Sequence, residues 1–263
     1  MENTSALNQP DVVKSQYQSS ANLSTRISIH DKYSTNKMGF GNWIFSNYEI
    51  RPGASVLELG CGTGSMWVGK DDAVSKCGQL VLSDFSEGML DTAKEKLAKF
   101  VKIEYKVIDI EAIPFEKDSF DVVIANMMLY HVPNLLKGLR EVSRVLKDTG
   151  VFYCATYGEH GIMEHLSNIF SEYGVEDTTN KNFTLQNGYD SLEKVFRFVK
   201  RRDYKDSLAV TSLKDMIDYI LSFASMSDLH KIPEQKLEET LRKHMVNGIL
   251  PIPKEYGMFI CRK

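Results

Sequence analysis

A chain of 263 residues with 43 % hydrophobic side chains has enough apolar material for one large α/β domain, or for a core domain with an inserted cap, and excludes a disordered polypeptide. A formal net charge of −3 and a pI near 6.1 give no global attraction to phosphate backbones, so nucleic acid is not the expected partner, despite local basic runs such as Lys200-Arg201-Arg202. Four cysteines, Cys61, Cys77, Cys154 and Cys261, stand far apart with no Cys-x-x-Cys spacing, which argues against a zinc site or a disulfide framework and for a reducing compartment. The N-terminal residues lack a basic segment followed by an apolar run, and no stretch approaches the roughly 18 apolar residues of a membrane helix, so a cytoplasmic location without membrane contact is expected.

In chain order, Ser15 to Tyr48 mixes aromatic, basic and hydroxyl residues, among them Tyr17, Arg26, His30, Tyr33 and Trp43, and reads as a helical lid with Gly39 and Gly41 as hinges. Strand-length apolar runs follow at Val56–Leu59, Leu80–Leu82, Ile103–Ile108, Val122–Ala125 and Val151–Ala155. Helix-like stretches separate them, and that alternation predicts a parallel sheet with helices on both faces. The clearest helix spans Leu135 to Lys147, where Leu135, Leu139, Val142 and Leu146 share a stripe behind an Asn134 cap and Asp148-Thr149-Gly150 provides the stop. Beyond Tyr157 the rhythm turns helical, at 162–173, 191–196, 213–225 and 234–246, with one strand within Phe198–Val210 and a last one at Tyr256–Cys261. The aromatics Tyr157, Phe170, Tyr173, Phe183, Tyr189, Phe196 and Phe223 suggest an enclosed pocket. The expected divisions are an N-terminal lid over 1–48, a core over 49–160, a cap over 161–250 that includes the sixth strand, and a final core strand over 251–263.

The densest signal is Val56-Leu57-Glu58-Leu59-Gly60-Cys61-Gly62-Thr63-Gly64, an apolar run that breaks into glycines spaced by two. Such a turn lets a ligand lie against bare backbone. Asp84 closes the next apolar run, 20 residues beyond Gly64, where a Rossmann-like unit holds a ribose by its hydroxyls. A dinucleotide turn needs a third small residue where Ser65 stands, so a pyrophosphate fits poorly.

The run Glu58-x-Gly60-x-Gly62-x-Gly64 resembles motif I of the class I S-adenosylmethionine (SAM)-dependent methyltransferases. The likeness continues through Asp84, Asp109-Ile110-Glu111 and Phe120 to Asn126, and ends at Leu139 to Gly150, about half of the chain. It implies a Rossmann-like seven-stranded sheet, mostly parallel, with the last strand antiparallel between its neighbours. It also implies SAM as cofactor and S-adenosylhomocysteine (SAH) as product.

In that resemblance Gly60, Cys61, Gly62 and Gly64 underlie the cofactor, and Asp84 takes the ribose hydroxyls, unless it only caps the following helix. Phe85 lies against adenine or is a core aromatic, and Met89 belongs to the same set. Asp109 accepts the adenine amino group or is a loop acid; Ile110 packs on the ring, and Glu111 follows them. Glu58 orients the methionine amino group or only bonds the turn backbone. Asn126 lines the transfer site, while Tyr17, Arg26 and Tyr33 close over the cofactor from the lid, Arg26 pairing with its carboxylate. His131 is the first candidate for a catalytic base, with Tyr130 beside it; His131 is equally a helix-entry residue before Val132-Pro133.

The sulfonium activates the methyl group, so alignment and exclusion of water are what the protein must supply, and no metal is expected. The reading is methyl transfer to a small-molecule acceptor. Its alternatives are an RNA or protein methyltransferase, a catalytically silent SAM-binding or scaffold protein, and a nicotinamide-linked oxidoreductase.

Overall fold

The computed structural model describes residues 20–223 and 227–263. Its centre is a seven-stranded sheet in which β1 (Ser55–Leu59), β2 (Gln79–Asp84), β3 (Ile103–Val107), β4 (Phe120–Ile124) and β5 (Leu146–Tyr157) run parallel. Two strands close its far side, β6 (Phe198–Tyr204) and β9 (Tyr256–Arg262). The order is β3-β2-β1-β4-β5-β9-β6, with β9 antiparallel to both neighbours, as expected from the sequence.

Alternate residues of each central strand enter different cores, which is why these strands read as continuous apolar runs. Leu57, Leu59, Val81, Val123 and Phe152 face α5 (Leu135–Val145) together with its Leu139 and Val142. Val56, Leu80, Leu82, Val122 and Ile124 face the opposite side, against Trp67, Ile44 of α2 (Phe40–Ser46) and Leu90 of α4 (Glu87–Lys96). A short α3 (Asp71–Lys76) precedes β2.

The Asn134 cap on α5 is present, its side chain accepting the Lys137 amide at 3.0 Å. The helix stops at Val145, two residues earlier than expected, because Asp118 and Ser119 amides take the carbonyls of Arg144 and Val145 at 3.0 and 2.8 Å. Leu146 then pairs with Phe120, and Asp148 to Gly150 form a register shift inside β5 instead of a stop turn.

A third core gathers the cap. It unites Ile29 of α1 (Ser20–Tyr33) with α6 (Ile162–Ile169), α8 (Leu213–Leu221), α9 (Glu234–Lys243) and a small antiparallel sheet of β7 (Ser207–Val210) and β8 (Leu250–Pro253). A short α7 (Gly188–Leu192) lies between α6 and β6. The single strand expected over Phe198–Val210 is thus two strands in different sheets. The break falls at Asp206, whose carboxylate is fully buried against the Lys254 ammonium, 3 % exposed, in the turn between β8 and β9. Pro251 and Pro253 are tolerated in β8 because a two-stranded sheet has only edge strands. The helices over 162–173, 191–196, 213–225 and 234–246 are shorter than expected or shifted, at 162–169, 188–192, 213–221 and 234–243.

The same ion pair anchors the N-terminal segment. Lys254 Nζ donates to Ser34 Oγ at 2.9 Å, and Asp206 Oδ1 accepts the Asn36 amide at 2.9 Å. Residues 20–48 therefore sit docked on the cap and the sheet, held also by Ile29 and Ile44 at 1 % and 2 % exposure. Among the described residues no helix is long and apolar enough to cross a membrane.

Candidate cofactor and transfer site

The carboxyl ends of β1, β2, β3 and β4 lie side by side, and the glycine turn follows β1. Gly60, Gly62 and Gly64 have φ of 70°, 55° and 69°, in the left-handed region. A Cβ on Gly60 would stand 2.9 Å from Met128 Cγ, so the turn is packed on that side. A Cβ on Gly62 would meet nothing within 4 Å and would project into open space.

Asp84 holds this turn from the neighbouring strand. Its Oδ2 accepts the Gly62 amide and its Oδ1 the Ser86 amide, each at 2.9 Å. Burial raises its pKa above the usual carboxylate range, against the bonds from the Ser86, Gly62 and Phe85 amides. Ser86 occupies the N-cap of α4, but its hydroxyl makes no cap hydrogen bond, so Asp84 serves both the helix start and the turn. Cys61 donates its amide to Ser83 O at 2.8 Å, and burial pushes its thiol pKa up, leaving it a small protonated side chain within the turn.

Glu58, 2 % exposed, accepts a 2.6 Å hydrogen bond from the Trp67 indole, not from the turn backbone. Burial pushes its carboxyl up to about 7, opposed by the Trp67 bond and reinforced by the Asp84 charge. Trp67 was not anticipated from the sequence; its one signal is that a buried indole N–H needs an acceptor.

At the end of β3, Asp109 is exposed and accepts the Glu111 amide at 2.8 Å, and the Ile108 amide bonds Asp84 O at 3.3 Å. Ile110 is buried in the core, its Cγ atoms 3.4 Å from where a Cβ on Gly138 would stand, so it faces α5 and not the ligand edge. Glu111 is likewise committed to α5: it accepts the Asn134 amide at 2.8 Å and lies 3.6 Å from Lys137 Nζ. Phe85 is 39 % exposed beside Asp84, and Met89 is half-buried on α4.

Beyond β4, Asn126 donates from Nδ2 to the Tyr48 hydroxyl at 2.6 Å. Tyr48, also missed from the sequence, comes from the segment before β1 and packs on Tyr153 with ring centroids 5.0 Å apart. Met127 takes a φ of 53° and sends the chain into a single turn over Leu129–His131. The Tyr130 ring lies 4.5 Å from that of His131 and 4.7 Å from that of Tyr157. Burial lowers the His131 pKa to about 4, so the imidazole is neutral at neutral pH.

Arg26 and Tyr33, expected to close over the cofactor, sit elsewhere. Tyr17 lies outside the described residues. The Arg26 guanidinium is 4.8 Å over the Phe223 ring, and Tyr33 donates to Asp215 at 2.6 Å, so both are engaged with the cap and α8. His30 stands edge-on between Tyr219 and Tyr256, its pKa lowered to about 4 by burial and by Lys254. Of the expected pocket aromatics, Phe170, Phe183 and Phe196 are core residues, while Tyr173 and Tyr189 are 38 % and 45 % exposed. Only Tyr157 stands among the transfer-site candidates, against Tyr130. Among the described residues no group of three or more His, Cys, Asp or Glu side chains gathers to hold a metal ion.

Residues 57–154, which span the turn, Asp84, Asp109 and Asn126, match a family model described as a methyltransferase domain. The demethylmenaquinone methyltransferase of Staphylococcus aureus (strain JH9) is 36 % identical over 111 residues, 42 % of this chain and 46 % of that protein. The chain thus spans about half the length of the curated relatives it matches. A candidate methyltransferase from Bacillus halodurans C-125 superposes with a TM-score of 0.58 at 17 % identity, over 85 % of this chain and 98 % of that one. The 4+2 cyclase SpnF superposes with a TM-score of 0.51 at 15 % identity, over 85 % and 79 %. At such identities the likeness is one of fold, and a cyclase among these structures means that the sheet alone does not set the reaction.

Proposed function

We propose that the chain transfers the methyl group of SAM to a small-molecule acceptor, a reading supported by the match of residues 57–154 to a methyltransferase domain. The observation that carries this reading is the Gly62–Asp84 bond, which fixes an open glycine turn beside a carboxylate. The residues present fit the cofactor. A missing side chain at Gly62 leaves space for it, and the buried Asn126 Oδ1 has no hydrogen-bond partner among the described residues.

When bound, SAM supplies a methyl group on a positively charged sulfur. Asp84 offers its remaining lone pairs to the ribose hydroxyls, and Asp109 offers an exposed carboxylate to the adenine amino group. Phe85 and Met89 flank the base. Gly60, Cys61, Gly62 and Gly64 present backbone, and Glu58 and Asn126 face the amino-acid end. Tyr130, His131 and Tyr157 wall the acceptor and exclude water, which favours in-line attack by an aligned nucleophile. Neutral His131 accepts a proton only from an already acidic nucleophile, since a base of pKa about 4 is weak near neutrality.

A small acceptor is favoured over RNA or protein because the basic run on β6 is engaged within the chain. Arg201 donates to Asp203 at 2.7 Å and Arg202 to Asn47 at 2.9 Å, which leaves Lys200 as the only residue of that run with no part in these bonds. Four free thiols, three of them buried, accord with a cytoplasmic setting. Demethylmenaquinone, the substrate named for the Staphylococcus aureus relative, places ring-bearing quinols first among acceptors to try. The test is SAH release from SAM across a panel of small quinols, phenols, amines and thiols. Acceptor-dependent release supports the reading; tight SAH binding without release for any acceptor class points to a silent binding protein instead.

A further inference from the structure

Asn126 and Tyr48 are 78 residues apart in sequence, yet the amide Nδ2 of one donates to the hydroxyl of the other at 2.6 Å. The Tyr48 ring has little freedom. It packs on Tyr153 at 5.0 Å and on Phe45 at 5.4 Å, and the Tyr153 hydroxyl in turn accepts the Glu49 amide at 3.0 Å. With Nδ2 donating to a fixed hydroxyl, the carboxamide is held in place and its oxygen faces away from Tyr48. That oxygen, Oδ1, is buried and has no hydrogen-bond partner among the described residues.

A buried acceptor without a donor is costly, and a rigid one calls for an explanation such as a bound group. The surroundings say which kind. β4 lies beside β1, with Ile124 opposite Glu58, so Asn126 stands next to the strand that enters the glycine turn. Glu58 is a second buried acceptor there, close enough for its charge to act on the Tyr48 hydroxyl. With Asp84 on β2 and Asp109 after β3 assigned to ribose and adenine, β1 and β4 are left for the amino-acid end. Two fixed acceptors suit a group with several N–H donors and a positive charge.

We infer that Tyr48 is a positioning residue: it turns Asn126 so that Oδ1, together with Glu58, receives the α-ammonium of the cofactor. The inference rests on the SAM reading above and adds to it a residue from outside the segment that matches the methyltransferase family.

SAH and 5′-methylthioadenosine share the adenosine and thioether, but only SAH carries the amino-acid end. Calorimetric titration of the wild type, Tyr48→Phe and Asn126→Ala with both ligands separates positioning from general damage. Both variants are expected to bind SAH about tenfold more weakly and 5′-methylthioadenosine as the wild type does. The double variant is expected to lose no more than the weaker single one, because the two side chains act as one unit. Equal losses for the two ligands, or unchanged SAH affinity in either Tyr48→Phe or Asn126→Ala, overturns the inference. A wild type that binds 5′-methylthioadenosine and SAH equally well also overturns it. A wild type that binds neither ligand removes the cofactor reading and this inference with it. If Tyr48→Phe does not fold, Asn126→Ala carries the comparison.

Discussion

The amide of Gly62 donates to Oδ2 of Asp84 at 2.9 Å, and this one bond ties the turn after β1 to the carboxyl end of β2. Asp84 also receives the Ser86 amide at 2.9 Å, so a single carboxylate shapes the turn, starts α4 and keeps lone pairs for a ligand.

On the proposed reading, replacing Asp84 removes a ligand contact and the support of the turn together. Asp84→Ala is expected to weaken SAH binding by about 1.5–3 kcal/mol, the range for hydrogen bonds to a charged group. Asp84→Asn is expected to do no better, because its Nδ2 would set a donor against a backbone N–H. Calorimetry on the folded variants checks both; Asp84→Asn with wild-type affinity would mean that the charge has no role.

Glu58 makes the unliganded protein sensitive to pH. Its carboxyl lies near 4.5 when unfolded and at about 7 when folded, so between these values the folded state holds the extra proton and stability falls as pH rises. Below the lower value the contribution is absent, and above the higher one the penalty is complete. Glu58→Gln should remove this slope, worth roughly 1–3 kcal/mol, from thermal melts between pH 5 and 8. Saturating SAH should flatten it in the wild type, since a cation beside Glu58 favours the carboxylate. An unchanged slope in Glu58→Gln contradicts the assignment.

The buried pair Lys254–Asp206 is the point at which removing one partner is expected to cost most. Burial lowers the Lys254 ammonium pKa, opposed by Asp206. Burial also works to raise Asp206, yet Lys254 and the Asn36 and Ser207 amides hold it below its usual range. Asp206 therefore contributes stability present above its unfolded value and lost as pH falls through the folded one. Lys254→Met leaves a buried carboxylate and is expected to cost about 3–5 kcal/mol, with the double variant Lys254→Met/Asp206→Leu recovering part of it. Denaturant melts of the three proteins decide this; a single variant as stable as the wild type contradicts the burial of the pair.

His131 is expected to leave no inflection near pH 6.5 in the rate, because burial holds its pKa at about 4. His131→Gln should lower kcat less than about tenfold, below the range for a general base. A pH–rate profile with a step near 6.5 that vanishes in His131→Gln would restore it as the base.

The central sheet was legible because its strands are buried on both faces, and alternate residues such as Val56 and Leu57 go to opposite cores. The glycines and Asp84 were legible because backbone strain and strand ends mark themselves locally. Tyr48 at Asn126, Trp67 at Glu58 and Lys254 at Asp206 were not, since each pairing is set by the tertiary fold and none by local periodicity. The same limit explains the aromatics: Phe183 and Phe196 carry no sequence mark that separates a core ring from a pocket ring, and they pack on Phe259 and Phe152. Ile110 and Glu111 follow Asp109 in the motif but point to the core and to α5, because the chain turns there toward the helix.

The most direct measurement is calorimetric titration of SAH into the wild type, Gly62→Val and a matched control, Gly53→Val. Both glycines have positive φ, 55° and 80°, and at both a Cβ would meet nothing within 4 Å, so Gly53→Val controls for placing a β-branched residue at positive φ. Only Gly62 borders the proposed cofactor. The account predicts saturable SAH binding by the wild type and Gly53→Val, and none by a folded Gly62→Val. A folded wild type that binds no SAH, or a Gly62→Val that binds it unchanged, contradicts it.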